Sequence, residues 1–197
     1  FDKDCRLLPS FSALGFGYVV GGTVTLSPRA GNPRPRLLRR PRDEALVNSL
    51  GFPGKGLEHA ARRLEAARSS LGGAGLVVSV SGTEAEEIVR CHRRLEPLVD
   101  ALEVNISSPN TAGLQAFHEP AVLKRLIGKL NSGRGKPLFV KLPPYPGEAE
   151  SGPADRERAA AAALAGVCVG EGVDGLTVAN TRPVSDRRLA TGKGGLS

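Results

Sequence analysis

A (β/α)8 barrel of the TIM type, incomplete within these 197 residues, is the fold class the sequence predicts, on three observations. Short apolar runs alternate with longer amphipathic runs. One helical pattern separates successive strand patterns, which implies βαβ units and a parallel sheet. Polar side chains gather at the carboxyl ends of the strand patterns, where barrel enzymes place their chemistry.

The elements follow in order. Residues 16–25, Phe-Gly-Tyr-Val-Val-Gly-Gly-Thr-Val-Thr, read as a buried strand. Residues 26–54 carry no clear helical period and read as a long excursion, a hairpin covering the rim. Between Gly56 and Ser70, the residues Leu57, Ala60, Ala61, Leu64 and Ala67 recur at helical spacing. Residues 76–80 form a second apolar run, and 83–95 a helix with Thr83 and Glu86 placed as a capping box. Residues 101–106 are a third strand pattern, followed by a helix over 120–130 with Pro120 suited to its first turn. A fourth run at 138–142, an Ala-rich helix at 155–170 and a fifth run at 175–179 complete the series. The polar strand ends are Thr23 and Thr25, Ser79 and Ser81, Asn105 and Ser107, Lys141, and Asn180 with Thr181.

A doubly wound dinucleotide fold is disfavoured. Gly15-Phe16-Gly17 lacks the GxGxxG spacing, and Gly192-Lys193-Gly194-Gly195 follows no strand pattern and opens no helical one. Five strand patterns fall short of eight, so one strand is expected before Phe1 and two after Ser197, with residues 1–197 as one partial domain.

Composition narrows the function classes. Cys5, Cys91 and Cys168 are far apart, with no CxxC pair and no Cys/His cluster, so no metal site is expected. A net charge of +7 raises nucleic acid, but an aromatic content of 4% and the lack of any finger or RNA-binding signature argue against it. No run of eighteen apolar residues occurs.

The sharpest segment is Asn105-Ile106-Ser107-Ser108-Pro109-Asn110-Thr111-Ala112-Gly113, a polar turn directly after a strand pattern. It is accompanied, in order, by Phe1-Asp2-Lys3, Gly22-Thr23-Val24-Thr25, residues 31–36 (Gly-Asn-Pro-Arg-Pro-Arg), residues 46–52 (Leu-Val-Asn-Ser-Leu-Gly-Phe), residues 140–144 (Val-Lys-Leu-Pro-Pro), Asn180-Thr181 and Gly194-Gly195-Leu196-Ser197. Together these motifs resemble the dihydroorotate dehydrogenase family over essentially the whole chain.

That resemblance implies oxidation of (S)-dihydroorotate to orotate in pyrimidine synthesis, with FMN as the cofactor. It implies Ser108 as the base that takes the C5 proton, with Thr111 and Phe52 beside a relay water. Asn48, Asn105, Asn110, Asn180 and Thr181 match substrate-binding positions. An Asn amide both donates and accepts, which suits the edge of a pyrimidine ring. Lys3, Gly22, Thr23, Ser79, Lys141 and Gly195 match positions around the flavin. No His lies within 105–113 to partner the serine.

A serine rather than a cysteine at 108 is similar to the quinone-linked class, which implies a quinone acceptor. It also implies a cytoplasmic location peripheral to the inner membrane, or the mitochondrial inner membrane in a eukaryote. Membrane contact is expected only through segments outside this chain, and Arg36 and Arg39 match positions beside the quinone tunnel. Ser79, Ala179 and the 141–145 run depart from the quinone-linked pattern. Two alternatives stay open: a related FMN barrel acting on another dihydropyrimidine, and a non-catalytic truncated remnant.

Overall fold

The structure, a computed structural model, describes residues 2–108, 113–145 and 154–197. Five strands form one parallel sheet: β1 (Tyr18–Val24), β4 (Gly75–Val80), β5 (Ala101–Asn105), β6 (Leu138–Lys141) and β7 (Gly175–Thr177), in the spatial order β1-β4-β5-β6-β7. Helices α2 (Leu57–Ala67), α3 (Ala85–Leu95), α4 (Pro120–Asn131) and α5 (Ala154–Gly170) connect successive strands of this sheet. This strand–helix alternation is that of a partial (β/α)8 barrel.

The sequence pattern explains the packing. All five residues of β5 are buried, as expected for a central parallel strand covered on both faces. α2 presents Leu57, Ala60, Ala61, Leu64 and Ala67 as its buried stripe, the residues whose spacing marked it. α4 buries Leu123, Leu126, Ile127 and Leu130 to 2% exposure or less, each worth up to roughly 1.5–3 kcal/mol of transfer free energy. The two outer strands behave differently. Tyr18 and Val20 of β1 stay 65% and 46% exposed, because β1 ends the sheet.

Residues 26–54 do contain the expected hairpin: β2 (Leu37–Arg40) pairs antiparallel with β3 (Ala45–Asn48). The sequence pattern did not foresee its extension into a four-stranded antiparallel sheet. β3 also pairs with β9 (Lys193–Leu196), and β9 with β8 (Arg182–Ser185), giving the order β2-β3-β9-β8. Lys193, Gly194 and Gly195, which the sequence reading assigned to no element, thus lie in β9. A six-residue helix, α1 (Leu8–Ala13), was also unforeseen.

Two boundaries need correction. β1 starts at Tyr18 rather than Phe16, and β7 stops at Thr177 rather than Ala179. The capping box of α3 lies one residue later than predicted, at Glu84 and Glu87. The Glu87 carboxylate accepts from the backbone N–H of Thr83 (2.8 Å) and of Glu84 (3.3 Å), while Glu86 instead pairs with Lys129.

The amino ends of the strands carry structural chemistry. Asp100, just before β5, accepts from the Leu76 N–H of β4 at 2.8 Å, and Asp174, just before β7, accepts from the Leu138 N–H of β6 at 2.8 Å. Arg68 on Asp100, reinforced by that backbone bond, holds the carboxyl down to about 2. An open cleft of about 460 Å³ at this end is lined by Asn131, Arg134, Gly135, Lys136, Pro137 and Asp174. Its polar groups are already joined to one another: Arg134 donates to Asn131, Gly172 and Asp174.

His92 of α3 is 2% exposed and its Nε2 has no partner among the described residues. Burial lowers its pKa, with nearby Arg134 and Arg93 adding to the effect and Glu96 opposing it. The unfolded chain therefore binds the proton more readily. The stability that neutral His92 allows is fully present above the ordinary histidine pKa of roughly 6.5 and is lost as pH falls below it. Denaturant midpoints measured across this range are expected to fall less steeply toward acid in His92→Gln than in the wild type. An unchanged acid limb would remove His92 from the account.

Candidate active site

The carboxyl ends of the parallel strands meet the antiparallel sheet, and a continuous polar chain runs between them. In register, Gly22 of β1 lies beside Ser79 of β4, Ser79 beside Glu103 of β5, and Asn105 beside Lys141 of β6, which lies beside Thr177 of β7. Thr23 Oγ1 and Ser79 Oγ are 3.1 Å apart, and Asn105 Nδ2 donates to Thr23 Oγ1 at 3.1 Å. Asn105 Oδ1 accepts from the backbone N–H of Ser107 (3.0 Å) and from its hydroxyl (2.6 Å). From the far side, Asn180 Nδ2 donates to both the carbonyl and the hydroxyl of Ser107, at 3.1 and 3.0 Å. Asn180 Oδ1 in turn accepts from the Thr181 N–H at 2.8 Å. Thr181 leans on Gly195 so closely that a Cβ there would collide with its hydroxyl. Asn48 Nδ2 donates to the Gly195 carbonyl at 3.4 Å.

Eight predicted positions are therefore joined through Ser107: Asn48, Gly195, Thr181, Asn180, Asn105, Thr23, Ser79 and, by close approach, Gly22. Gly22 has φ +104°, and a Cβ there would stand 2.5 Å from the Ser79 carbonyl, so only glycine fits. Among these residues Thr23, Ser79, Asn105 and Ser107 are buried. Buried polar groups that satisfy one another form a rigid frame.

Two adjacent serines, Ser107 and Ser108, follow shortly after β5. Ser107 is fully buried, its proton held by Asn105 and its lone pair by Asn180. Ser108, next along, is also buried, at 9% exposure.

Lys3 and Lys141 form the cationic part. Lys3 has a lowered pKa, first because it is buried and second because Lys141 lies near it. Neither ammonium group makes a hydrogen bond or ion pair among the described residues. The acidic side chains around them are engaged elsewhere. Asp2 accepts from the Arg6 and Leu7 N–H groups at 2.7 Å each, Asp4 from the Lys55 N–H at 2.8 Å, and Glu103 from the Thr177 hydroxyl at 2.6 Å. Two ammonium groups without a protein counter-ion suit an anionic ligand.

Phe52 follows β3 in the left-handed region (φ +54°) and packs into the hydrophobic core at 8% exposure. Thr111 and Asn110 lie outside the described residues, as does Phe1. Arg36 donates to the Ala30 and Asn32 carbonyls and so stiffens the hairpin loop, while Arg39 is exposed on β2. Arg40 and Arg188 flank buried Asp186, tying β2 to the β8–β9 turn, a link no sequence signal announced.

The comparisons with known proteins follow from this geometry. The family model described as Dihydroorotate dehydrogenase matches residues 1–197. The chain is 43% identical over 152 residues to the dihydroorotate dehydrogenase (quinone) of Thermus thermophilus, covering 73% of this chain and 43% of that protein. It is 35% identical over 214 residues to that of Stenotrophomonas maltophilia, covering all of this chain and 58% of the relative. The ligand-free DHODH structure from Eimeria tenella superposes with a TM-score of 0.81 at 29% identity, covering 100% of this chain and 62% of that one. The chain thus spans about half the length of the curated relatives it matches. By its strand order, its rim and its whole-length match, the chain belongs to the dihydroorotate dehydrogenase family.

Proposed function

We propose that the protein to which these residues belong oxidises (S)-dihydroorotate to orotate in pyrimidine synthesis, with FMN as cofactor and a quinone as the final electron acceptor. The observation that carries this reading is the hydrogen-bonded frame that presents Ser108 at the same rim as the uncompensated Lys3 and Lys141.

The residues present fit a flavin. Gly22 brings its backbone to the rim without a side chain, Thr23 and Ser79 offer hydroxyls beside it, and the two lysines supply positive charge for an electron-rich ring. FMN bound beside Gly22, Thr23, Ser79, Lys3 and Lys141 would supply the acceptor for the hydride that leaves C6 of the substrate. Ser108 takes the proton from C5. A serine is a weak base alone and must pass its own proton on. Ser107 does not serve, because Asn105 and Asn180 already hold its hydroxyl. Asn48, Asn105 and Asn180 stand around the same rim with amides that can meet the pyrimidine edge.

The open edges of the sheet support a further part of the reading. β1 and β7 end the parallel sheet, and Tyr18, Val20 and Val178 stay exposed along them. An eight-stranded barrel closes by pairing at such edges. No helix among the described residues is long and apolar enough to cross a membrane.

The test is orotate formation by the full-length protein with quinone, fumarate and NAD supplied in parallel. Turnover with quinone alone is expected. Failure to form orotate with any acceptor would overturn the reading, and preference for fumarate or NAD would overturn its second half.

A further inference from the structure

We propose that His118 is a positioning residue for Ser108, clamping the neck of the loop on which Ser108 sits. The proposal rests on the reading of Ser108 as the base. His118 closes a short 3-10 helix, Leu114–His118, and its Nε2 lies 2.7 Å from the carbonyl oxygen of Ile106. Ile106 is fully buried and stands two residues before Ser108, directly after β5. A carbonyl oxygen only accepts, so Nε2 carries the proton.

The returning arm of the loop is itself firmly placed. Leu114 and Phe117 are 1% and 2% exposed and belong to the hydrophobic core. Gly113 has φ +88°, and a Cβ there would lie 3.1 Å from Cβ of Thr83. Thr83 stands just ahead of α3 and is held in turn by the Glu87 carboxylate. The returning arm is therefore seated against α3 as well as in the core.

Among the described residues no backbone hydrogen bond joins the outgoing arm, 106–108, to the returning arm, 113–118. The His118 side chain makes that link across 12 residues of sequence. Ser107 is fixed from the strand side by Asn105 and Asn180, and His118 fixes the chain from the return side. Ser108 directly follows Ile106 and Ser107, the two residues these restraints hold. Loss of the second would leave Ser107 bonded while Ser108 tilts.

The test uses the full-length enzyme with bound flavin, in His118→Ala, His118→Phe and His118→Gln. Phe keeps ring volume without the donor, and Gln places an amide N–H near the reach of Nε2. His118→Ala and His118→Phe are expected to slow the limiting rate of flavin reduction by dihydroorotate roughly 10- to 100-fold, with substrate affinity within about threefold of wild type. His118→Gln is expected to recover most of that rate. Hydrogen exchange at the Ser108 amide is expected to quicken in the first two variants and to return toward wild type in the third, while the Ser107 amide, held by Asn105, stays protected.

Wild-type rates in His118→Ala would overturn the clamp. So would a His118→Gln enzyme as slow as His118→Phe, since packing rather than the donor would then be responsible. If the wild-type enzyme does not reduce flavin with dihydroorotate, the functional reading fails, and the exchange comparison still decides on the clamp.

Discussion

Ser108→Ala in the full-length enzyme is expected to cut the rate of flavin reduction by dihydroorotate by about 10²–10⁴-fold, the range lost with a positioned general base. Orotate affinity is expected to change little. On the proposed reading, the hydroxyl at 108 would contribute to proton removal in the transition state, whereas the asparagine amides and the lysines would hold the ring and its charge in both states. The adjacent serine provides the control. Ser107→Ala removes the hydroxyl that links Asn105 to Asn180, but leaves the backbone N–H and carbonyl of residue 107 bonded to the same two side chains. Its effect should therefore be smaller than that of Ser108→Ala. Stopped-flow reduction with each variant, followed by orotate titration, separates the two. A Ser108→Ala enzyme that reduces flavin at close to the wild-type rate would move the base elsewhere.

The family resemblance singled out Ser108, but the bonds that fix Ser107 to Asn105 and Asn180 were not legible in the motif, because Asn180 lies far from Ser107 in the sequence. The five parallel strands were legible because each is a short apolar run with a polar end, and α2 because its stripe repeats at helical spacing. β8 and β9 were not. Arg182-Pro183-Val184-Ser185 and Lys193-Gly194-Gly195-Leu196 have no apolar alternation, and their extended form rests on cross-strand pairing with β3. Gly194 and Gly195 look like loop residues in sequence. The structure uses them because a Cβ at 194 would stand 2.6 Å from the Asn48 carbonyl, and one at 195 would strike Thr181. His118 was passed over for a related reason: its role is a bond to a main-chain carbonyl, which no side-chain motif records.

Lys141→Met is expected to weaken orotate binding to the flavin-loaded enzyme by roughly 10²-fold or more, the scale of losing one partner of a desolvated charged contact. The physical reason is that neither ammonium group forms an ion pair among the described residues, while Asp2, Asp4 and Glu103 direct their carboxylates to other groups. The pH dependence carries a sign that distinguishes this account from simple loss of packing. Burial and then Lys141 lower the Lys3 pKa below the ordinary lysine value, so wild-type affinity for an anion should fall with rising pH before that value is reached. Removing Lys141 removes the like charge while the burial stays. The Lys3 pKa must then rise, and the alkaline fall in the remaining affinity must move to higher pH. Orotate titrations followed by flavin absorbance at a series of alkaline pH values measure both effects. A Lys141→Met enzyme whose alkaline limb stayed in place, or moved toward neutral pH, would show that the two amines do not share one electrostatic site.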